Sequence, residues 1–246
     1  VSFPEPTVIS LAGSFDNALI LKFSFTVPSL RDLSVGLVKL GFKGRLSPKF
    51  FNYNHYLLFF ELKEDYNSVW IKTRLNIFGC SGRVFKYITD FTFVEESPIV
   101  PVWCCFLGHL PHLFDPSSLF SIASCIGNPI ETDAATANRS RLSVARVCME
   151  IDLRDEFIKA IELDQAGKTT IQKVVYERVP PLCTLCSHVG HGAAECYTRA
   201  NNPRPTLAPH RRVARQSPTV ALGSPKEKGK APAHSLDPKG QKGKGK

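Results

Sequence analysis

No stretch of this 246-residue chain approaches the run of about 20 apolar residues that a membrane-spanning helix needs. The N-terminus lacks the basic-then-apolar layout of a secretory signal. These two absences make a soluble intracellular protein, nuclear or cytoplasmic, the expectation. No phosphate-cradling loop is present, because Gly223 and the later glycines lie in a C-terminal tail. A charge excess is also missing from most of the chain. The formal net charge is +9, yet residues 199–246 alone hold twelve Lys and Arg against two acids, Glu227 and Asp237. Residues 1–198 are therefore close to neutral and advertise no basic phosphate-binding face. The chain begins at Val1 rather than a methionine, which reads as a fragment or a processed gene model.

The eight cysteines are unevenly placed. Cys80, Cys104, Cys105, Cys125 and Cys148 are scattered among apolar residues, as buried free thiols are. Cys183, Cys186 and Cys196 fall close together beside a histidine. Without a secretory signal, that cluster reads as a metal site and not as a disulfide framework. Cys104 and Cys105 lie near His109 and His112, but neighbouring residues on a strand face opposite ways. At most one of the two could join a Cys–His pair, and no catalytic signature surrounds either. No catalytic residues are assigned, and the chain is not expected to be an enzyme.

Periodicity divides the body into elements. Residues 1–15, with Pro4 and Pro6, read as a flexible segment. Residues 18–25 form an apolar run of strand length. Ser29 with Asp32 three positions on is a helix-capping arrangement. Leu30, Leu33, Leu37 and Leu40 follow at helical spacing, and Gly41 is a suitable stop. Strands are predicted over residues 44–51 and 55–62, a helix over 63–74 burying Tyr66, Val69 and Trp70, and a last strand within 75–87. The order βαββαβ over residues 16–92 is the split βαβ arrangement of a ferredoxin-like domain. Residues 93–180 read as a second, smaller α/β unit packed on the first. It contains a strand over 100–107 and a helix opened by Asp115-Pro116 and ended by Gly127, with its stripe formed by Leu119, Phe120, Ile122, Ala123 and Ile126. Further strands are predicted near Ile130 and over 144–151 and 170–179. Residues 199–246 are rich in Pro, Gly, Lys and Arg, and such a segment is expected to be disordered.

Residues 181–198 carry the chemistry. Cys183, Cys186, His191 and Cys196 are separated by gaps of two, four and four residues. Three thiolates and one imidazole are a standard tetrahedral set for a structural zinc ion. Gly190, directly before the histidine, permits a backbone reversal at positive φ. All four coordination positions are filled by protein groups, so one structural Zn²⁺ is expected, with no open site for catalysis. A segment this short has no core of its own, and the metal must supply its folding energy. His188 is off the ligand register and reads as a surface residue.

The spacing and the Gly190-His191 pair resemble the retroviral-type CCHC zinc knuckle, a module that binds single-stranded nucleic acid. The longer chain resembles a plant retrotransposon-associated family of gag-like or LINE first-reading-frame proteins, in which an RRM-like domain of unknown function precedes such a knuckle. The matching stretches include residues 18–24, 95–98, 101–103, 112–114, 119–124, 126–129, 143–148 and 175–177, so the likeness spans about residues 16–198. It implies an α+β, RRM-like core and a role in binding or chaperoning single-stranded RNA or DNA, with possible self-association and no membrane or small-molecule partner. One departure bears on affinity. These knuckles carry an aromatic residue directly after the first cysteine, where Thr184 stands here. Such stacking is worth about 1–3 kcal/mol per base, and Tyr197 is the candidate to replace part of it. Arg199, Arg204, Arg211, Arg212 and Arg215 are the candidate phosphate contacts, and Arg211–Arg215 also resembles a nuclear signal. In the RRM-like unit, Tyr56, Leu58 and Phe60 should share one face of their strand, and His55, Leu57, Phe59 and Glu61 the other. Both faces are expected to be covered, one by helices and one by the second unit or a partner chain. The neutral body and Thr184 also leave open an assembly module whose knuckle contacts protein.

Overall fold

The computed structural model describes residues 1–198. The first unit follows from its local sequence. β1 (Ala18–Phe23) is apolar apart from Lys22 and buried on both faces. α2 (Leu30–Val38) is capped by Ser29, whose hydroxyl accepts the Asp32 N–H at 3.1 Å and donates to the Asp32 carboxylate at 2.6 Å. Leu33 and Leu37 enter the core, while Leu30 and Leu40 remain exposed, so the buried stripe is narrower than the leucine spacing predicts. β2 (Leu46–Asn52) and β3 (His55–Phe60) form a hairpin. α3 (Lys63–Lys72) buries Tyr66, Val69 and Trp70 and ends at Thr73, which adopts the left-handed conformation at φ 55°.

The single strand predicted within residues 75–87 is two strands, β4 (Arg74–Ile77) and β5 (Cys80–Lys86). Phe78 and Gly79, at φ 47° and 81°, make the two-residue turn between them. Positive φ at both turn residues matches the twist of a tight hairpin. The sheet order is β2-β3-β1-β5-β4, with antiparallel neighbours throughout. This is the ferredoxin-like, RRM-like arrangement with one added edge strand.

The second unit repeats that order. It comprises β6 (Ile99–Leu107), α4 (Pro116–Ala123), β7 (Asn128–Thr132), the short α5 (Ala134–Ala137), β8 (Val144–Asp152), β9 (Ala160–Gln165) and β10 (Lys168–Glu177). Its antiparallel sheet runs β7-β8-β6-β10-β9, position for position the same path as the first. The β9–β10 turn, Ala166-Gly167 at φ 53° and 85°, matches the β4–β5 turn. Sequence reading missed β9 because its alternation of Ile161 and Leu163 with charged residues is that of a short edge strand. The Asp115 carboxylate caps α4 by accepting the Ser117 N–H at 3.1 Å. Gly127 does more than follow the helix: a Cβ there would stand 2.6 Å from the Glu150 carbonyl oxygen.

The two units differ in their helices, and α5 between β7 and β8 has no counterpart in the β2–β3 hairpin. The first closes its helical face with both α2 and α3, whereas no helix joins β8 to β9. The second core is completed by Leu153 and Phe157 from that connection, and by Leu182 and Val189 from the cysteine-rich segment.

The N-terminal residues depart from expectation. Residues 5–12 form a helix, α1 (Glu5–Ala12), followed by a 3-10 turn (Gly13–Phe15). Phe15 leaves that turn to stack on Tyr87 at 4.7 Å between centroids and to touch Phe59 at 5.6 Å. Phe91 and Phe93 pack on Phe51 at 5.7 and 4.9 Å. The non-helical face of the first sheet, with Ile20, Leu57 and Phe85, is thus covered by the N-terminal turn and the chain between the units. The predicted cover was the second unit or a partner chain. The linker fills that place because it leaves β5 on the same face and carries three aromatic residues within reach.

Candidate metal centre

The segment after β10 reverses tightly. Leu182 and Val189 pair as an isolated antiparallel bridge. Inside that loop the Cys183 N–H donates to His188 O at 2.9 Å, and the Ser187 N–H to Cys183 O at 2.9 Å. Ser187 and Gly190 take positive φ, 53° and 104°. Gly190 serves as predicted, and its N–H donates to Pro181 O at 2.7 Å. A 3-10 turn (Ala193–Glu195) then brings in the last cysteine.

These turns gather the four predicted ligands. One donor atom from each of Cys183, Cys186, His191 and Cys196 lies within 4.8 Å of all the others. Cys186 Sγ is 3.3 Å from His191 Nε2. Cys183 and Cys196 are buried, and Cys186 and His191 half-buried. Three sulfurs and one imidazole nitrogen, convergent and shielded, fit a metal ion of four-fold coordination. Burial pushes the Cys186 thiol up to about 11, reinforced by its fellow cysteines. The Thr198 hydroxyl, 2.8 Å from Cys196 Sγ, helps draw that thiol down to about 6. Thiols so close repel one another as thiolates, and a bound cation is what would relieve that repulsion. His188 stays off the site, its Nδ1 lying 2.6 Å from Cys186 O.

The loop is held to the body by a carboxylate that sequence reading placed only at a domain boundary. Glu96 is buried, and its backbone N–H donates to Ser187 O at 3.2 Å. Its side chain accepts the Val189 N–H at 3.1 Å and pairs with Lys22 of β1 at 3.2 Å and Arg83 of β5 at 3.1 Å. Arg83 in turn donates to Val189 O at 2.9 Å. Four segments far apart in sequence thus meet at one carboxylate.

The other candidates fall out as follows. Thr184 is exposed, and Leu185 and Tyr197 are 54% and 50% exposed. Tyr197 is thus available to a ligand and is not packed away under the loop. Arg199, Arg204, Arg211, Arg212 and Arg215 lie outside the described residues, as does the tail. Cys104 is buried in the second core and Cys105 lies on the opposite face. Burial pushes the Cys104 thiol up to about 12. Cys105 rises to about 11, from burial and from donating to Glu177 Oε1 at 2.9 Å. His109 bonds Gln172 and Leu113, and His112 bonds Gln165. These four residues form no nucleophile–base pair among the described contacts. No helix among the described residues is long and apolar enough to cross a membrane.

Fold and site together define an α+β protein of two topologically matched sheets that carries a closed Cys₃His group. No family model matches the chain, and no curated protein matches it. Among solved structures it is similar to one described as "Structure of the RNA binding domain of Hrp1 in complex with RNA". The identity is 14%, over 68% of this chain and 98% of that one, with a TM-score of 0.24.

Proposed function

We propose that the chain is a zinc-dependent, non-catalytic protein that binds single-stranded nucleic acid, of the retrotransposon-associated kind its sequence resembles. The convergence of Cys183, Cys186, His191 and Cys196 within 4.8 Å carries this reading. Zinc suits three thiolates and an imidazole in a closed tetrahedral site, where it orders the loop and leaves no position for a reacting water. The ordered loop offers Thr184, Leu185 and Tyr197 to a partner. Tyr197 is assigned as a base-contacting residue, and Arg199, Arg204, Arg211, Arg212 and Arg215 as cations that add affinity through counterion release.

Metal analysis of the purified chain should find one zinc per molecule, and none in a Cys183→Ser, Cys186→Ser variant. Anisotropy titration with a labelled single-stranded RNA and its DNA counterpart should show weaker binding by the variant. Equal affinity for intact protein and zinc-free variant would remove the knuckle from the function.

A further inference from the structure

The two units and the knuckle leave between them a cleft of about 560 Å³, within the range of about 300–1,000 Å³ typical of ligand sites. Its lining holds four guanidinium groups, those of Arg74, Arg83, Arg146 and Arg178, against the one carboxylate of Glu177. The near-neutral composition of the body conceals this concentration of charge.

Two of these arginines are already engaged. Arg83 is paired with Glu96 at 3.1 Å, and Arg146 holds Glu177 through two bonds of 2.8 and 2.7 Å. Arg74 and Arg178 have no ion-pair partner among the described residues. Arg74 is moreover the direct cross-strand partner of Arg83 in the β4–β5 ladder. Like charges in that position repel, and a bound anion would turn the repulsion into attraction. Arg178 sits at φ 49°, a conformation uncommon for a long side chain and one that clusters at functional sites.

The remaining wall selects among anions. Trp103 lines the cleft, with the Arg146 guanidinium 4.0 Å from its ring centroid. A flat aromatic and guanidinium surface is what an unpaired base stacks upon, and an acidic peptide has no use for it. Gly190 of the knuckle closes one side, near the Arg83 guanidinium. The metal-ordered loop therefore forms part of the cleft.

We infer that this cleft binds the phosphodiester backbone of a single nucleic-acid strand, with Arg74 and Arg178 contacting phosphate and Trp103 offering the stacking surface. The inference deepens the nucleic-acid reading above and rests on it. It assigns the body a direct contact, separate from Tyr197 and the tail arginines.

The test uses the full zinc-loaded chain and its Arg74→Ala, Arg178→Ala variant, with anisotropy of a labelled 15-nucleotide single-stranded RNA read across salt concentrations. Affinity at 0.15 M salt should fall about tenfold in the variant. The log–log salt slope should shrink by about 1.4, which is two single-strand phosphate contacts at about 0.7 each. Zinc content should stay at one per chain and the melting temperature should not fall, since neither side chain has an ion-pair or hydrogen-bond partner among the described residues. An Arg74→Lys, Arg178→Lys variant should recover most of the slope. Unchanged affinity and slope in the alanine variant would overturn the cleft while leaving nucleic-acid binding by the knuckle and tail intact. No binding of any single strand by the intact chain would instead overturn the reading on which the cleft depends. A labelled oligo-glutamate peptide binding the intact chain more tightly than RNA, with the same arginine dependence, would reassign the cleft to an acidic protein partner and overturn the inference.

Discussion

His55 sits on β3 with its ring buried against Phe93 at 5.3 Å, and its Nδ1 has no hydrogen-bond partner among the described residues. Burial, with Lys22 adding to it and Glu96 opposing it, lowers its pKa from 6.5 to about 4. Above pH 6.5 the ring is neutral in folded and unfolded chains alike. Below that the unfolded chain takes up the proton first, so stability declines as pH falls from 6.5 towards 4. The melting temperature of wild type should therefore drop more between pH 7 and pH 5 than that of a His55→Leu variant. Equal drops would mean that His55 is not held neutral. The histidine was visible in the sequence as a member of an alternating strand. Its loss of basicity was not, because that depends on Phe91 and Phe93 folding back over it from the linker.

Among the elements, the metal-binding loop is the one whose chemistry the sequence states and whose setting it hides. Spacing alone named the four ligands, since a loop this short is governed by local turns and by Gly190. The docking depends on Glu96, some ninety positions earlier, and no local pattern marks a carboxylate as the anchor of a distant amide. A Glu96→Gln variant should still bind one zinc but should loosen the loop. Hydrogen exchange at the Val189 amide should accelerate at least tenfold, while that of the central strands β1 and β6 changes less. Unaltered protection at Val189 would show that the Glu96 carboxylate does not anchor the loop. The hairpin turns teach a related lesson. Phe78-Gly79 and Ala166-Gly167 each supply a glycine at the second turn position but lack the Asn or Asp that marks a two-residue hairpin turn in sequence. The strand breaks between β4 and β5 and between β9 and β10 therefore had no clear local mark.

Across the molecule, a second buried carboxylate joins the two units. Glu150 of β8 accepts Trp70 Nε1 of α3 at 3.0 Å, Lys86 Nζ of β5 at 2.6 Å and Asn128 Nδ2 of β7 at 2.9 Å. Removing one partner of a buried pair costs about 3–5 kcal/mol. Because Lys86 keeps some access to water, Glu150→Ala should cost somewhat less than that range, about 2–3 kcal/mol. Denaturant unfolding measures the loss directly. A cost below about 0.5 kcal/mol, the size of an ordinary surface substitution, would show that the units are held together by other contacts. Helix caps, strand alternation and the ligand spacing were determined by the sequence itself, because each depends on residues within a few positions of one another. The tertiary structure alone decided that the second unit repeats the first, and that the linker covers the first sheet. It also decided that Arg74, Arg83, Arg146 and Arg178 share one cleft. Composition averages charge along the chain, whereas burial and electrostatics depend on distances in space, and those distances exist only once the two sheets and the loop have packed.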